Sequence, residues 1–276
     1  MTVDVRAVAI RFADLWAVDP YQMVDEIYRH DIVMENMANP SRSIVGADQL
    51  RAVEDQLAAL IPEHRHELIR VIVGTDAACL ETMVVAPLTH EYAPACVWWW
   101  LDASGTVAAE VGWFDWSQRS TDAGRAHGTV PAAERRPGRD DGWAAAMAQA
   151  YAQAWASDPL GVGLDMFAEQ CIADLVGRTE ARGRDAVAEA RARLNDALPV
   201  PDRTLEVHRT IVAGPVLAML VKVRTSTMAT RGTVILTVDA DDRILSERTY
   251  LDWTKAIPIE PPSGVHIGDP QWIAPT

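Results

Sequence analysis

Carboxyl groups on predicted strands are the residues best suited to chemistry in this 276-residue sequence. In the second half they are Asp174, Glu206 and Glu247, and a nearby predicted strand carries two cations, Lys222 and Arg224. Side chains of a strand alternate between its two faces, so these five residues can meet in one polar patch if their faces line an interior. Alternatively, Glu206, Glu247 and the two cations form cross-strand ion pairs on a solvated face.

Two carboxyl groups in one pocket can divide acid–base work when their surroundings separate their pKa values. A carboxyl among apolar side chains has a raised pKa and stays protonated, so it can act as an acid. A carboxylate with more hydrogen bonds or cationic neighbours stays ionised and can act as a base. A reaction in which one oxygen gains a proton while a hydroxyl loses one needs both.

These residues belong to the second of two copies of one sequence pattern. Residues 151–159 repeat residues 12–20, and residues 247–253 repeat residues 110–116, with offsets of 139 and 137 positions. Matches at both ends with a nearly constant offset indicate duplication of a whole domain of about 110–120 residues, a normal size for one core. We therefore predict domains at 1–117 and 142–256, a polar linker at 118–141 and a proline-rich tail at 257–276.

The first copy offers a corresponding set of candidates. Glu67 matches Glu206 and Glu110 matches Glu247, while the counterpart of Asp174 is either Glu35 or Asn36. We include Asn36 and Glu110, together with Lys222 and Arg224, as substrate-binding candidates.

Three consecutive tryptophans stand on a predicted strand of the first copy. Trp98 and Trp100 share one strand face and Trp99 takes the other, so one set fills the interior. We predict that Trp98 and Trp100 line the ligand site, with core packing as the alternative. The histidines near strand starts, such as His64 and His66, are interpreted as surface residues.

Periodicity predicts the same order of elements in both copies: two helices, a strand, a helix and an antiparallel meander. In the first copy the helices are predicted at 5–18, from residue 20, and at 47–60. In the second they are predicted at 143–155, 161–169 and 185–198. This order is typical of an α+β cone in which a curved sheet wraps helices.

Composition excludes several classes of function. Acidic residues exceed basic ones by 14 (39 against 25), which disfavours a nucleic-acid partner. Apolar stretches are far shorter than the roughly 18 residues that span a bilayer, and the N-terminal residues do not resemble a signal peptide. Three cysteines without a CxxC pair are expected to be buried, reduced thiols. We predict a cytoplasmic protein with no metal, cofactor or membrane partner.

The element order and the ending of each copy resemble the SnoaL-like branch of the NTF2-like superfamily. Residues 244–252 carry that ending as Ile-Leu-Ser-Glu-Arg-Thr-Tyr-Leu-Asp. The resemblance implies two tandem cone-shaped α+β barrels that form an intramolecular pseudo-dimer, with a further homodimer possible. It covers polyketide cyclases, epoxide hydrolases, isomerases and many non-enzymes, so the fold alone does not give the reaction.

Within that superfamily, the second copy is similar to polyether-type epoxide hydrolase/cyclases. Those enzymes use an Asp on the first strand and a Glu that opens the next, positions taken here by Asp174 and Glu206. The resemblance implies that Asp174 is the base and Glu206 the acid, or the reverse. The Asp-Arg-Asp triad of limonene-type epoxide hydrolases is absent.

The resulting prediction is a cofactor-independent acid–base enzyme that opens or cyclises an epoxide on a hydrophobic, polyketide-like molecule. Its catalytic candidates are Asp174, Glu206, Glu247, Glu35 and Glu67. The alternatives are a SnoaL-type cyclase or isomerase that uses one carboxylate, and a non-catalytic ligand-binding or assembly module.

Overall fold

A computed structural model describes eight stretches of the chain, which form two compact units. The stretches are 3–37, 43–127, 139–157, 163–176, 179–197, 204–225, 228–251 and 257–258. Unit 1 contains the described residues up to His127, and unit 2 contains those from Arg139 onward.

Unit 1 is a six-stranded sheet with helices packed on one face. Its helices are α1 (Val5–Val18), α2 (Pro20–Ile27), α3 (Ala47–Leu60) and α4 (Ala123–His127). Its strands are β1 (Tyr28–Asn36), β2 (Ser43–Val45), β3 (Arg65–Val73), β4 (Ala77–Ala86), β5 (Glu91–Leu101) and β6 (Val107–Phe114). The strand order is β2-β1-β6-β5-β4-β3, and only β1 and β6 pair in parallel.

Unit 2 repeats this topology. Its helices are α5 (Asp141–Ser157) and α6 (Arg184–Ala197). Its strands are β7 (Phe167–Leu175), β8 (Thr179–Arg182), β9 (Thr204–Ala213), β10 (Val216–Arg224), β11 (Met228–Val238), β12 (Ile244–Tyr250) and β13 (Ile257–Pro258). The order β8-β7-β12-β11-β10-β9 corresponds strand for strand to that of unit 1, and β13 pairs with β11. The predicted duplication of an α+β domain is confirmed.

Local sequence signals explain the helix starts. Asp19 ends α1 and caps α2 by accepting hydrogen bonds from the backbone N–H of Tyr21 and Gln22, both at 3.0 Å, with Pro20 at the first helical position. Gly46 and Gly183 precede α3 and α6 with φ of 87° and 82°, where a side chain would be strained. Each glycine N–H donates to a carbonyl of β1 or β7 at 2.7 Å, so α3 and α6 start at equivalent points.

Each sheet has an inner face that packs against helices and an outer face. In unit 1 the inner face carries Leu80, Trp99 and Val107, which form one core with residues of α1, α2 and α3. In unit 2 it carries residues such as Met219 and Leu236, which pack with α5. We call the space between the inner face and the helices the cup of that unit.

Three parts of the prediction differ from the structure. Of the helix predicted at 161–169, residues 161 and 162 lie outside the described stretches, and the rest contains a short 3-10 helix at Leu164–Met166 followed by β7, whose residues Phe167 and Cys171 belong to the core. The short edge strands β2 and β8 were not predicted. Regular secondary structure extends into the segment 118–141 that we predicted as a linker, since Ser120 pairs with Tyr92 and α4 follows.

All three cysteines are free and buried, as predicted. No helix in the described stretches combines the length and the apolar character needed to cross a membrane.

Candidate functional site

The two acids expected to act together in unit 2, Asp174 and Glu206, lie far apart. Asp174 is buried on the outer face of β7, where its Oδ2 lies 3.4 Å from Nε of Arg248. Glu206 lies on β9, four strand steps away across the sheet, or about 19 Å at the usual strand spacing. Its side chain is 40% exposed and forms an ion pair with Arg224 at 3.1 Å. The geometry does not provide one pocket for this pair.

Glu247 is separated from that pair by the sheet itself. Its register partner Leu236 belongs to the core of the cup, so Glu247 faces the helices. Lys222 pairs in register with Glu206 between neighbours that face the core, so both side chains belong to the outer face. The expected single polar patch of Asp174, Glu206 and Glu247 with the two cations is therefore wrong.

The strand register shows which residue of unit 1, Glu35 or Asn36, corresponds to Asp174. Met34 pairs with Glu110 as Ala173 pairs with Glu247, so the counterpart of Asp174 is Glu35. Glu35 is buried on the outer face. Asn36 pairs in register with Gly112 on the inner face, two residues from Glu110, so the structure brings Asn36 and Glu110 to the same face.

Glu67 and the predicted tryptophan wall also lie outside the cup. Glu67 is 46% exposed and forms an ion pair with Arg65. Trp98 and Trp100 stack on the outer face with ring centroids 6.4 Å apart, whereas Trp99 enters the cup. The prediction that Trp98 and Trp100 line the interior is wrong, because these two side chains lie on the outer face of β5 and Trp99 lies on the inner face.

The cup of unit 1 contains a buried acid, Glu110, held by two donors. The Tyr28 hydroxyl donates to Glu110 Oε2 at 2.6 Å, and the Trp99 indole N–H donates to the same oxygen at 2.8 Å. Burial raises the pKa of Glu110 to about 7, although the hydrogen bonds from Tyr28 and Trp99 lower it. The pKa of Glu110 therefore lies near neutral pH.

The second oxygen of Glu110, Oε1, lies beside Gly112. Oε1 accepts no hydrogen bond from any residue that the structure describes, and a Cβ on residue 112 would lie 3.3 Å both from this oxygen and from Val97 Cγ1. A side chain at residue 112 would therefore crowd Oε1. Glu110 thus has one oxygen held by two donors and one without a hydrogen bond from the described residues.

A second acid, Glu54 of α3, faces the same cup. It is 5% exposed, and burial followed by repulsion from Glu110 raises its pKa to about 8. The Trp16 indole lies close enough to offset part of that rise, although no hydrogen bond of normal geometry joins Trp16 Nε1 to Glu54 Oε2. Glu54 is mainly protonated at neutral pH, whereas Glu110 is at its midpoint.

Two histidines complete this end of the cup. His66 stacks on Trp16 with ring centroids 3.4 Å apart, and His64 meets the same ring edge-on at 6.0 Å. Burial lowers the pKa of both imidazoles, so both are neutral at pH 7. The interpretation of His64 and His66 as surface residues is wrong, since both are buried.

The cup of unit 2 carries an opposite charge at the position of Glu54. Arg191 stands eight residues after Gly183, as Glu54 stands eight after Gly46. Arg191 forms an ion pair with Glu247 at 2.6 Å, and its guanidinium lies 4.9 Å from the Phe167 ring centroid. The same two positions therefore hold an acid–acid pair in unit 1 and a cation–acid pair in unit 2.

Both oxygens of Glu247 have partners, unlike those of Glu110. Arg191 donates to Oε2, and the Thr249 hydroxyl, at the position of Gly112, donates to Oε1 at 3.3 Å. Burial raises the pKa of Tyr151, and interaction with Glu247 adds to that rise. Unit 2 thus neutralises the carboxylate that unit 1 leaves uncompensated.

Our reading of the sequence missed Tyr28, Glu54 and Arg191. The helical pattern held the signal for Glu54, which lies four residues after Leu50 and three before Leu57 and thus on the apolar face of α3. Tyr28 was missed because it is the first residue of β1 and follows directly on the last residue of α2.

Comparison with known proteins identifies the domain type. The SnoaL-like domain family matches residues 148–247, so unit 2 contains a SnoaL-like domain. Unit 1 has the same strand order, and the chain therefore carries this NTF2-like α+β fold twice. Among curated proteins there is no significant match.

Several solved structures are similar to single units. SalBIII, an epoxide hydrolase/cyclase-like enzyme of pyran ring formation in the polyether salinomycin, is 18% identical over 42% of this chain and 96% of its own, with a TM-score of 0.35. A SnoaL-like protein of unknown function from Burkholderia thailandensis is 16% identical over 42% and 98%, with a TM-score of 0.36. A protein of ketosteroid isomerase-like fold from Catenulispora acidiphila is 16% identical over 40% and 87%, with a TM-score of 0.33.

Proposed function

We propose that this chain is a cofactor-independent acid–base enzyme for a hydrophobic, polyketide-like small molecule, with the reaction in the cup of unit 1. One observation carries the proposal. Glu110 and Glu54 are both buried, no cation among the described residues contributes to the pKa of either, and their pKa values of about 7 and 8 lie near neutral pH. A general acid or base works best when its pKa lies near the operating pH.

Glu110 has the properties of the base. Tyr28 and Trp99 hold its Oε2, which orients the carboxylate and stabilises the ionised form. Its Oε1 accepts no hydrogen bond from the described residues, so it can accept a proton from a bound molecule.

Glu54 has the properties of the acid. Its pKa of about 8 keeps it protonated when Glu110 is ionised, because repulsion between the two carboxylates disfavours the second ionisation. In epoxide opening, Glu54 gives its proton to the ring oxygen as a ring C–O bond breaks. A hydroxyl of the substrate forms the new C–O bond and loses its proton to Glu110. One carboxyl group gives a proton and the other takes one, so the reaction needs no cofactor, and a proton returns from Glu110 to Glu54 before the next turnover.

The surroundings of the two acids suit an apolar substrate. Phe12, Tyr28 and Trp99 contact one another edge-to-face, with ring centroids 5.0–6.4 Å apart. Aromatic walls with a few fixed polar groups are typical of sites for lipophilic small molecules.

A second candidate is an isomerase or cyclase that uses Glu110 alone. The single available oxygen favours it, since one carboxylate oxygen can remove a proton from carbon and return it elsewhere in the molecule. In that reaction Glu54 remains protonated and does not exchange its proton with the substrate.

The two candidates differ in their requirement for Glu54, which gives the test. Purified wild type, E110Q, E54Q and the exposed-residue control E67Q are incubated with an aryl-substituted hydroxy-epoxide and with an aryl-substituted β,γ-unsaturated ketone. Products are quantified by chiral chromatography with mass spectrometry. We expect E110Q to reduce kcat/KM by roughly 10²–10⁴-fold and E67Q to leave it unchanged.

Loss of hydroxy-epoxide turnover in E54Q supports the two-carboxyl reaction, whereas ketone turnover that E54Q retains supports the single-carboxylate one. Equal turnover by E110Q and E67Q would refute catalysis by this site. If the wild-type protein converts neither probe, the binding-module alternative is favoured.

A further inference from the structure

Four buried polar atoms in the cup of unit 1 have no hydrogen-bond partner among the residues that the structure describes. They are Trp16 Nε1, Glu54 Oε2, His64 Nε2 and His66 Nε2. Buried donors and acceptors are nearly always paired. Trp16 Nε1 and Glu54 Oε2 lie near each other, so the two histidine nitrogens are the clearest sign of a group that the folded chain does not itself provide.

These atoms belong to one contiguous cluster. The Trp16 ring contacts both imidazoles, stacking on His66 and meeting His64 edge-on. Its indole N–H also lies near the Glu54 carboxyl. The cluster therefore joins α1, α3 and the start of β3, and it includes Glu54, one acid of the pair.

The hydrogen-bonding roles of two of these atoms are fixed. His64 Nδ1 lies 2.9 Å from the carbonyl oxygen of Ile61, and a carbonyl only accepts, so Nδ1 carries the proton. In the neutral ring Nε2 is then a bare acceptor. Trp16 Nε1 is a donor only. A single group that satisfies both must donate to His64 and accept from Trp16.

We propose that Trp16, His64, His66 and Glu54 form a subsite that binds a hydroxyl group of the substrate. A hydroxyl donates one hydrogen bond and accepts others, whereas an ether or ketone oxygen satisfies Trp16 and leaves His64 unpaired. The inference rests on the proposed function only in placing the ligand in this cup, and it specifies the substrate class as hydrophobic alcohols, phenols or enols.

Three probes of matched shape test the subsite by calorimetric titration at pH 7: 2-naphthol, 2-methoxynaphthalene and 2-methylnaphthalene. The first donates and accepts, the second only accepts, and the third does neither. One satisfied hydrogen bond corresponds to roughly 3–10-fold in affinity. We expect wild type to bind 2-naphthol about tenfold more tightly than 2-methylnaphthalene, with 2-methoxynaphthalene between them.

Two variants test the hydrogen bond to His64 and the hydrogen bond from Trp16 separately. H64F should weaken 2-naphthol to the affinity of 2-methoxynaphthalene without changing the other two probes. W16F should weaken 2-naphthol and 2-methoxynaphthalene alike. The control H30F, at an exposed position of β1, should bind all three as wild type does. Because a core variant can fail to fold, the ¹⁵N resonance of His64 Nε2 in wild type gives a second readout, and 2-naphthol alone should shift it.

Equal affinity of wild type for 2-naphthol and 2-methylnaphthalene would overturn the subsite, as would binding of none of the three probes. An unchanged Nε2 resonance at saturating 2-naphthol would do the same, since water then satisfies His64. Binding is measured without turnover, so the two proposals can fail separately. Full activity of E110Q refutes catalysis by Glu110 and leaves a hydroxyl preference intact.

Discussion

Replacing Glu54 with glutamine should stabilise the protein, and the gain should grow with pH. Glutamine has the shape of the protonated carboxyl and cannot ionise. The E54Q change therefore removes the cost of placing a charge in the apolar cup and retains the packing of α3.

The size of the stability gain follows from the pKa of Glu54, which is about 8 in the folded protein against 4.5 for an ordinary carboxyl. Because the folded pKa is raised, the protonated carboxyl contributes its full stability below pH 4.5 and loses it as the pH rises through about 8. A difference of 3.5 between 8 and 4.5 corresponds to about 5 kcal/mol at 1.36 kcal/mol per unit. The advantage of E54Q is then near zero at pH 4, about 3 kcal/mol at pH 7 and about 5 kcal/mol at pH 9.

Urea unfolding followed by tryptophan fluorescence measures this directly. Six of the eight tryptophans in the described stretches belong to unit 1, so the signal reports mainly on the unit that contains Glu54. The m-value should be the same in both proteins, because the surface exposed on unfolding does not change.

The exposed Glu67 provides the matched control. E67Q removes the same carboxylate oxygen from a solvated ion pair, which contributes at most about 1 kcal/mol at any of these pH values. A difference between wild type and E54Q that does not vary from pH 5 to pH 9 would show that Glu54 ionises like a solvated acid. The proposed acid of the reaction would then be lost.

Two further outcomes follow from the same electrostatics. The pH profile of kcat/KM should rise with an apparent pKa near 7, as Glu110 ionises, and fall near 8, as Glu54 loses its proton. In E54Q the alkaline fall should disappear, and a bell shape that survives in E54Q would assign that limb to another group. In unit 2, R191Q should destabilise the protein by about 3–5 kcal/mol, because it leaves Glu247 charged, buried and without its cation. The exposed counterpart R193Q should cost under about 1 kcal/mol, and thermal melts in which the two variants coincide would contradict the buried ion pair.

Elements with strong local signals were predictable from sequence. The spans 5–18 and 47–60 agree with α1 and α3 to the residue, because periodic apolar positions run between clear stop signals. The duplication could also be predicted from the sequence, and the resemblance to SnoaL-like domains was based on the element order and the endings of the repeats. The cytoplasmic location, the pairing of the two units and any further homodimer stay predictions.

The site could not be placed with the same success, because it depends on which face of each strand points inward. A shift of one residue moves a side chain to the other side of the sheet. Trp98 and Trp99 are both buried, so hydrophobicity did not distinguish the inner from the outer face. Asp174 and Glu206 matched a pattern along the chain, but four strand steps separate them in the sheet. Spacing in sequence carried no information on that distance.

The two cups provide an internal comparison that bears on why unit 1 keeps an uncompensated acid pair. Unit 2 shows that the fold accommodates an arginine at the position of Glu54, where it neutralises the buried carboxylate. A buried carboxyl with a pKa of about 8 costs on the order of 3 kcal/mol of stability at neutral pH, which is a substantial part of the 5–15 kcal/mol that stabilises a typical domain. Destabilising groups of this kind are concentrated at functional sites, where activity offsets their cost. We therefore expect the chemistry in unit 1, and a structural carboxylate in unit 2.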